Sequence, residues 1–358
     1  MRSRRIPYRV IVPMLLVLAF APGIAAREGT PSASPAAGEP VTTVALITPD
    51  SRTNQGWDQQ AADAIEAVAE ERGIEAAVVE NAGYDDITPV LNDLADDGAR
   101  LIICHASGYQ TICPEFAQEE NVRVSVVENP NAVTPGLISD VETEAQEVAY
   151  LAGVLAGRMT TTGTVGVVVS DEPPTWNYMT VGFAEGLKAS NPDAKLLYSV
   201  IGVAAYADAA GGKRVTEQQI ANGADVIFGQ GDGASFGMIQ AIEEHNADEP
   251  DNPVWFIDVI GDKREQHGDV LLTSVLFDYT GIFDQMIADI EAGTFGQVYT
   301  LSLENEGVRL LDLPDAVPQE VKDAVEEARQ GIVDGSIEVS AVPDADGVQQ
   351  RLDELFPG

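Results

Sequence analysis

From residue 41 onward the chain repeats one rhythm, a short run of β-branched and apolar residues followed by a segment of helical period. In the first half the runs are VTTVALI (41–47), EAAVVEN (75–81), LIICHA (101–106) and VRVSVVE (122–128). Helical stretches lie between them, near 55–72, 84–98 and 112–120. On the 55–72 helix Ala61, Ala62, Ile65, Val68 and Ala69 form one stripe, and Asp58, Asp63, Glu66 and Glu70 are assigned to the exposed side. Residues 137–141 read as a fifth strand, followed by a long helix over 144–159 whose Ala- and Gly-rich face suggests close packing. Thr160, Thr161, Thr162 and Gly163 then break the chain. The rhythm restarts with strands at 164–170, 195–200, 225–230, 254–259 and 271–277, and helices near 177–190, 209–222, 235–246 and 279–293. The strands are continuous apolar runs, the pattern of a parallel sheet covered on both faces. The expectation is α/β, with two Rossmann-like doubly wound lobes. A further helix at 318–332 has Pro near its start and acid in its first turn.

The start of the chain reads differently. Arg2, Arg4, Arg5 and Arg9 precede an apolar run over 10–20, and small residues follow at Gly23, Ala25 and Ala26. This is the pattern of a cleaved export signal over 1–26, with an apolar run too short to span a bilayer. No Cys follows the run, which argues against a lipoprotein junction. Residues 27–40 (REGTPSASPAAGEP) hold too little apolar surface to offset ordering entropy and read as a flexible leader. The roughly 300 residues that remain favour two domains. With 58 acidic against 20 basic residues the net charge is −38. Such a surface repels nucleic acid and anionic lipid. The acid is spread along the chain, as solubility or adaptation to salt or heat would have it. Cys104 and Cys113 are too few for a structural zinc site; export leaves either a disulfide or two buried thiols open.

Open α/β sheets bind ligands beyond the carboxyl ends of their strands. The loops to watch are therefore 48–57, 105–110, 128–134, 171–178, 202–208, 230–236 and 258–264. Those loops also carry a likeness. TPDSRTNQGWDQQAADAIE (48–66), YLAGVLAGRMTTTGTVGVV (150–168), VGFAEGLKASNPDAK (181–195), NGADVIFGQGDGASFG (222–237), LLTSV (271–275) and GIVDGSIEV (331–339) follow one another in order and spacing. In them the chain resembles the basic membrane protein family of solute-binding proteins, whose best-known members bind purine nucleosides for ABC-type importers. The resemblance implies two lobes of periplasmic-binding-protein type I-like architecture joined by a hinge, over 41–159 and 160–275, with crossover segments over 276–340 shared between them and a tail at 341–358. It implies a small-molecule ligand and a membrane permease as partners, with no cofactor, no nucleic acid and a monomeric state.

The resemblance also implies a site. Trp57 takes the position of the stacking aromatic, with Asn54 and Asp50 beside it. Tyr206 is the second aromatic, Gly231, Asp232 and Gly233 form the close-approach loop, and Asp258 is placed to bind hydroxyls. Two departures stand out: Phe277 replaces a lysine common in nucleoside binders, and EPPTWNYM (172–179) adds Trp176 and Asn177. Tyr109, Glu128 and Asp140 are lesser candidates, as is His105. Independently of any family, indole and phenol faces stack on planar rings with about 0.5–1.5 kcal/mol beyond burial, and buried polar groups left unpaired by a wrong ligand supply specificity. Structural alternatives stand beside each role: Trp57 packing its helix on the sheet, Trp176 as a lobe or transporter contact, Trp255 as core, Asp258 or Asn177 as caps, Tyr109 lining the Cys104–Cys113 loop.

A rival reading is a serine hydrolase. Gly233-Ala234-Ser235-Phe236-Gly237 matches G-x-S-x-G, and Asp258 and His267 follow in triad order. The stretch is very compact for that fold, and Gly231 and Asp232 add slack where the elbow must be tight, so a non-enzymatic chain is expected. A ligand-sensing receptor for a membrane kinase is the third reading.

Overall fold

The structure, a computed structural model, describes Gly38 and residues 40–357. The export-signal reading lies outside the described residues, as does nearly all of the 27–40 leader. The first half runs β1 (Thr43–Ile47), α1 (Trp57–Arg72), β2 (Glu75–Val79), α2 (Thr88–Asp96), β3 (Leu101–Cys104), α3 (Ile112–Glu120), β4 (Val124–Val127), β5 (Ile138–Thr143) and α4 (Ala145–Met159). The second runs β6 (Thr164–Val169), α5 (Pro174–Ser190), β7 (Lys195–Val200), α6 (Ala209–Ala221), β8 (Val226–Gln230), α7 (Ser235–Asp248), β9 (Trp255–Val259), α8 (Arg264–His267) and β10 (Leu271–Phe277). The chain ends with α9 (Thr280–Ala292), β11 (Val298–Leu301), β12 (Val308–Leu310), α10 (Gln319–Val333) and α11 (Ala345–Leu355).

These form two six-stranded sheets, ordered β11-β5-β4-β3-β1-β2 and β12-β10-β9-β8-β6-β7. Pairing is parallel except where β12 meets β10. β1, β3, β4, β8 and β10 are almost wholly buried, as continuous Val, Ile and Leu runs require when helices cover both faces. In each sheet the order reverses beside its first strand, between β1 and β3 and between β6 and β8. A crevice opens at such a reversal, beyond the strands' carboxyl ends. Each lobe thus presents one crevice, formed by the loops after β1 and β3 in the first and after β6 and β8 in the second.

The final third divides between lobes. After β10, α9 packs on α1 and β11 joins β5; β12 then returns to β10. Helix α4 lies with the second lobe, against α5, β10 and β12. The first crossing therefore falls between β5 and α4 rather than near residue 160. Glycines explain the tightness of α4 on α5. A Cβ at Gly153 would sit 2.1 Å from the Phe183 carbonyl oxygen, one at Gly182 2.2 Å from that of Gln146, and one at Gly186 2.0 Å from that of Tyr150. The 341–358 tail forms α11, whose Val348 and Leu352 pack on Val181 and Ala184 of α5. Among the described residues no helix is long and apolar enough to cross a membrane.

Cys104 and Cys113 form a disulfide. It ties the end of β3 to α3 and braces the loop between them, which faces the crevice. Helix α5 starts earlier than its periodicity suggests, because Pro174 occupies its first position, where a missing N–H costs nothing. That places Trp176 and Asn177 in the first turn of α5.

Candidate functional site

The two crevices meet in a cavity of about 420 Å³. From the first lobe it is lined by Asp50 and Trp57 after β1, Asp58 at the start of α1, Tyr84 after β2, Ser107 and Gly108 after β3, and Glu128 after β4. From the second come Asp171, Thr175 and Trp176 after β6, Ala204, Tyr206 and Ala207 after β7, and Asp232 after β8.

Trp57 is held rigidly. Its ring stacks on His105 at 4.7 Å and 14°, and meets Phe277 and Tyr279 edge-on at 5.4 and 5.7 Å. His105 is buried, and burial pushes its pKa down to about 3, against a smaller opposing pull from the Trp57 carbonyl. The imidazole is therefore neutral. Its Nε2 lies 3.2 Å from the Trp57 carbonyl oxygen, which can only accept, so Nε2 carries the proton. Across the cavity Trp176 and Tyr206 meet edge-to-face at 5.1 Å. Tyr84 is 61% exposed and lies over Gly108, where a Cβ would come within 2.5 Å of its ring. Each lobe thus contributes a pair of aromatic rings.

Five carboxylates share the cavity, and among the described residues no Lys or Arg lines it. Asp58 is only 2% exposed. Its Oδ2 accepts from Asn54 Nδ2 at 2.7 Å, while Oδ1 has no hydrogen-bond partner of normal geometry. Burial, then the charge of Asp232, raises Asp58 to about 7; the Asp50 backbone amide and Asn54 only partly offset this. Asp232 is likewise raised by burial, to about 6, opposed by the charge of Lys263 and the Trp57 amide. That amide donates to Asp232 Oδ1 at 3.4 Å, across the lobes.

Further contacts join the lobes around the cavity. Glu128 Oε1 accepts from the Thr175 amide at 2.9 Å and from its hydroxyl, and Oε2 accepts from the Ser107 hydroxyl. The Phe277 amide donates to Gln60 Oε1 at 3.0 Å. Lys263, fully buried, donates to Asp258 Oδ2 and the Ile260 carbonyl at 2.6 Å each, and to the first lobe's Gln55 carbonyl at 3.1 Å. Gly261, at φ +98°, lets that carbonyl approach; a Cβ would sit 1.9 Å from it.

Of the residues singled out from sequence, Asp50, Trp57, Glu128, Trp176, Tyr206 and Asp232 line the cavity. The others stand behind it. Asn54 holds Asp58 and accepts from the Gly56 and Gln59 amides. Tyr109 is buried, its hydroxyl donating to the Gly83 carbonyl at 2.6 Å. Asn177 is no cap: inside α5, it donates to the carbonyls of Glu172 and Pro343. Gly231 makes room for the Ser235 amide, 2.4 Å from where a Cβ would be, and Gly233 backs onto the Tyr206 carbonyl. Asp258 is fully buried, bound to Lys263, to the Val259 amide and to Ser235. Asp140 accepts from the Asn129 amide.

Asp58 corrects the surface reading of α1. It lies three, four and seven positions before Ala61, Ala62 and Ile65, so the helical period itself puts it on the buried stripe; its charge suggested otherwise. Ser107, Asp171 and Thr175, in the expected loops 105–110 and 171–178 but not named from sequence, also line the cavity, as does Tyr84 after β2, outside those loops.

The triad is not assembled. Ser235 donates to Asp258 Oδ1 at 2.7 Å, but His267 pairs with Glu243 at 2.8 Å, and the partner of Asp258 is the Lys263 ammonium. Ser235 therefore lacks the imidazole base that the triad requires. Among the described residues no three His, Cys, Asp or Glu side chains gather to hold a metal ion.

Comparison with known proteins agrees with this geometry. A family model described as ABC transporter substrate-binding protein PnrA-like matches residues 41–342. The chain belongs to that family. The "CD4+ T-cell-stimulating antigen" of Listeria innocua serovar 6a is 30% identical over 206 residues, which are 54% of this chain and 57% of the relative. The match thus spans little more than half the length of that relative. The "ABC transporter nucleoside-binding protein BmpA" of Lactococcus lactis subsp. cremoris is 28% identical over 60% of this chain and 62% of its own. In fold, the chain is similar to an ABC transporter solute-binding protein from Aeropyrum pernix K1, with TM-score 0.75 and 19% identity over 88% of this chain and 97% of that one. The PnrA-like family is one of substrate-binding components, and the two lobes are of the periplasmic-binding-protein type I-like kind.

Proposed function

We propose that this PnrA-like chain is the extracytoplasmic solute-binding component of an ABC-type importer, and that it closes on a small flat heterocycle of the purine nucleoside or nucleobase kind for delivery to a membrane permease. The observation that carries the reading is one cavity lined by Trp57 and Tyr84 from the first lobe and Trp176 and Tyr206 from the second. Its volume, about 420 Å³, is in the range of small-molecule sites. His105, Phe277 and Tyr279 hold the Trp57 ring, which lowers the ordering cost of stacking. Where the resemblance led us to expect a lysine, the Phe277 ring supports Trp57 instead. Ligand contacts to both lobes would favour the closed arrangement that Glu128 and Thr175 already join.

Calorimetry and thermal shift against adenosine, guanosine, inosine and their bases test this. One or more should bind and raise the melting temperature, by about 2.7 kcal/mol of stability at a hundredfold excess over Kd. Trp57→Ala should weaken that binding at least tenfold, roughly the loss of one stacked ring. Failure of every ring ligand to bind would overturn the reading.

A further inference from the structure

We infer that the ring this cavity selects is positively charged, a cationic heteroaromatic compound rather than a neutral one; the inference rests on the ring-binding reading above and narrows it. The first observation is charge. Asp50, Asp58, Glu128, Asp171 and Asp232 line the cavity, and among the described residues no basic side chain does. Lys263, whose charge acts on Asp232, is already committed to Asp258 and two backbone carbonyls.

The second observation concerns Asp58. A carboxylate 2% exposed, with one oxygen unpartnered and the acidic Asp232 opposite, is an expensive arrangement in a protein interior. Most of the other carboxylates have donors: Asp50 the Ser51 amide, Asp171 the amides of Glu172 and Ala204, Glu128 the groups of Thr175 and Ser107. Asp58 has the Asn54 amide on Oδ2, and its Oδ1 is enclosed with no donor at normal hydrogen-bond distance. A neutral ligand would leave the repulsion between Asp58 and Asp232 in place. A cation would relieve it, and more strongly than in water wherever buried carboxylates such as Asp58 and Asp232 lie close to the ligand.

The third observation is aromatic. Tryptophan and tyrosine faces attract cations through their quadrupole, most of all when desolvated. Two indoles and two phenols around acidic side chains therefore suit a flat cation twice over, by stacking and by charge.

Matched probes test the inference on the full chain. 1-Methyladenosine carries a positive charge near neutral pH; N6-methyladenosine has the same heavy atoms and is neutral. 1-Methylnicotinamide and 6-methylnicotinamide form a second such pair. By calorimetry at pH 7.5 the cationic member of at least one pair should bind about tenfold or more tightly than its neutral counterpart. In the Asp58→Asn variant that ratio should shrink, with the melting temperature reporting that the variant is folded. Equal affinities, or preference for the neutral member, would overturn the inference and leave the ring-binding reading standing. Binding of no member of either pair, and of none of the nucleosides above, would bring down both. A cationic preference undiminished in Asp58→Asn would refute the role given to that residue.

Discussion

Lys263 carries a larger share of this site than its place in the sequence suggests, because it neutralises a buried aspartate and reaches the other lobe at once. Replacing it by Met leaves Asp258 buried without its counter-charge, so Lys263→Met should lose about 3–5 kcal/mol of stability, and adding Asp258→Asn should recover part of it; denaturant unfolding of the three proteins checks this. Asp58 and Asp232 give a pH signature. Asp58 faces Asp50, Asp232 and Tyr84; Asp232 faces Lys263, Asp50 and Asp258. Their pKa values, raised to about 7 and about 6 from 3.8, mean that the folded chain holds protons the unfolded chain has released. Their contribution is therefore fully present near pH 4 and lost as pH rises through 6 to 7. His105, pushed down to about 3, works in the opposite sense below its ordinary value of 6.5. Comparing Asp58→Asn with the parent cancels that term, and the variant should gain melting temperature relative to the parent at pH 8 but not at pH 4.5. At this scale the sequence was readable where a residue type and a strand end coincided: Trp57, Tyr206 and Asp232 all follow strands and all line the cavity. It misled where polarity was taken for exposure, as at Asp58; Asn54, Asn177 and Asp258 make hydrogen bonds that brace the site from behind.

The buried strands were legible because parallel strands covered on both faces need unbroken apolar runs, and VTTVALI or LLTSVLF can do little else. β11 and β12 gave no such sign. They are edge strands of four and three residues, with Val298 40% exposed and Arg309 in the middle of VRL. The Ala- and Gly-rich face of α4 promised a close neighbour, and α5 is that neighbour; which lobe it belonged to depended on pairings distant in sequence. The contact yields a sharp expectation. Gly153→Ala would drive a methyl against the Phe183 carbonyl, so the helices must part, at about 1–3 kcal/mol of overpacking. The gain in helix propensity, about 1 kcal/mol, does not make this up in full. Thermal melts of Gly153→Ala beside Gly163→Ala would weigh close packing against a glycine whose positive φ is its only demand, since nothing surrounds a Cβ there.

At the scale of the molecule, two sheets reverse their strand order at one place each, and the chain brings those two places together. The lobes are joined by β5–α4, β10–α9 and β11–β12, three passages that permit one rotation more readily than a slide. Polar contacts across the gap include Glu128 to Thr175, Lys263 to Gln55 and Gln60 to Phe277, and the Phe277 ring also meets Trp57 edge-on. The twofold βα rhythm announced the lobes; the gathering of acid in the cavity was hidden, because 58 acidic residues spread over the chain look alike until they are folded. Asp85 and Val203 are exposed, on the first and second lobe at the cavity's two sides. The most direct test is the distance between spin labels at Asp85→Cys and Val203→Cys, measured by double electron–electron resonance with and without a purine ligand shown to bind by calorimetry. Closure on the ligand predicts that saturation shortens and narrows the distance distribution; a distribution unchanged at saturation would contradict it.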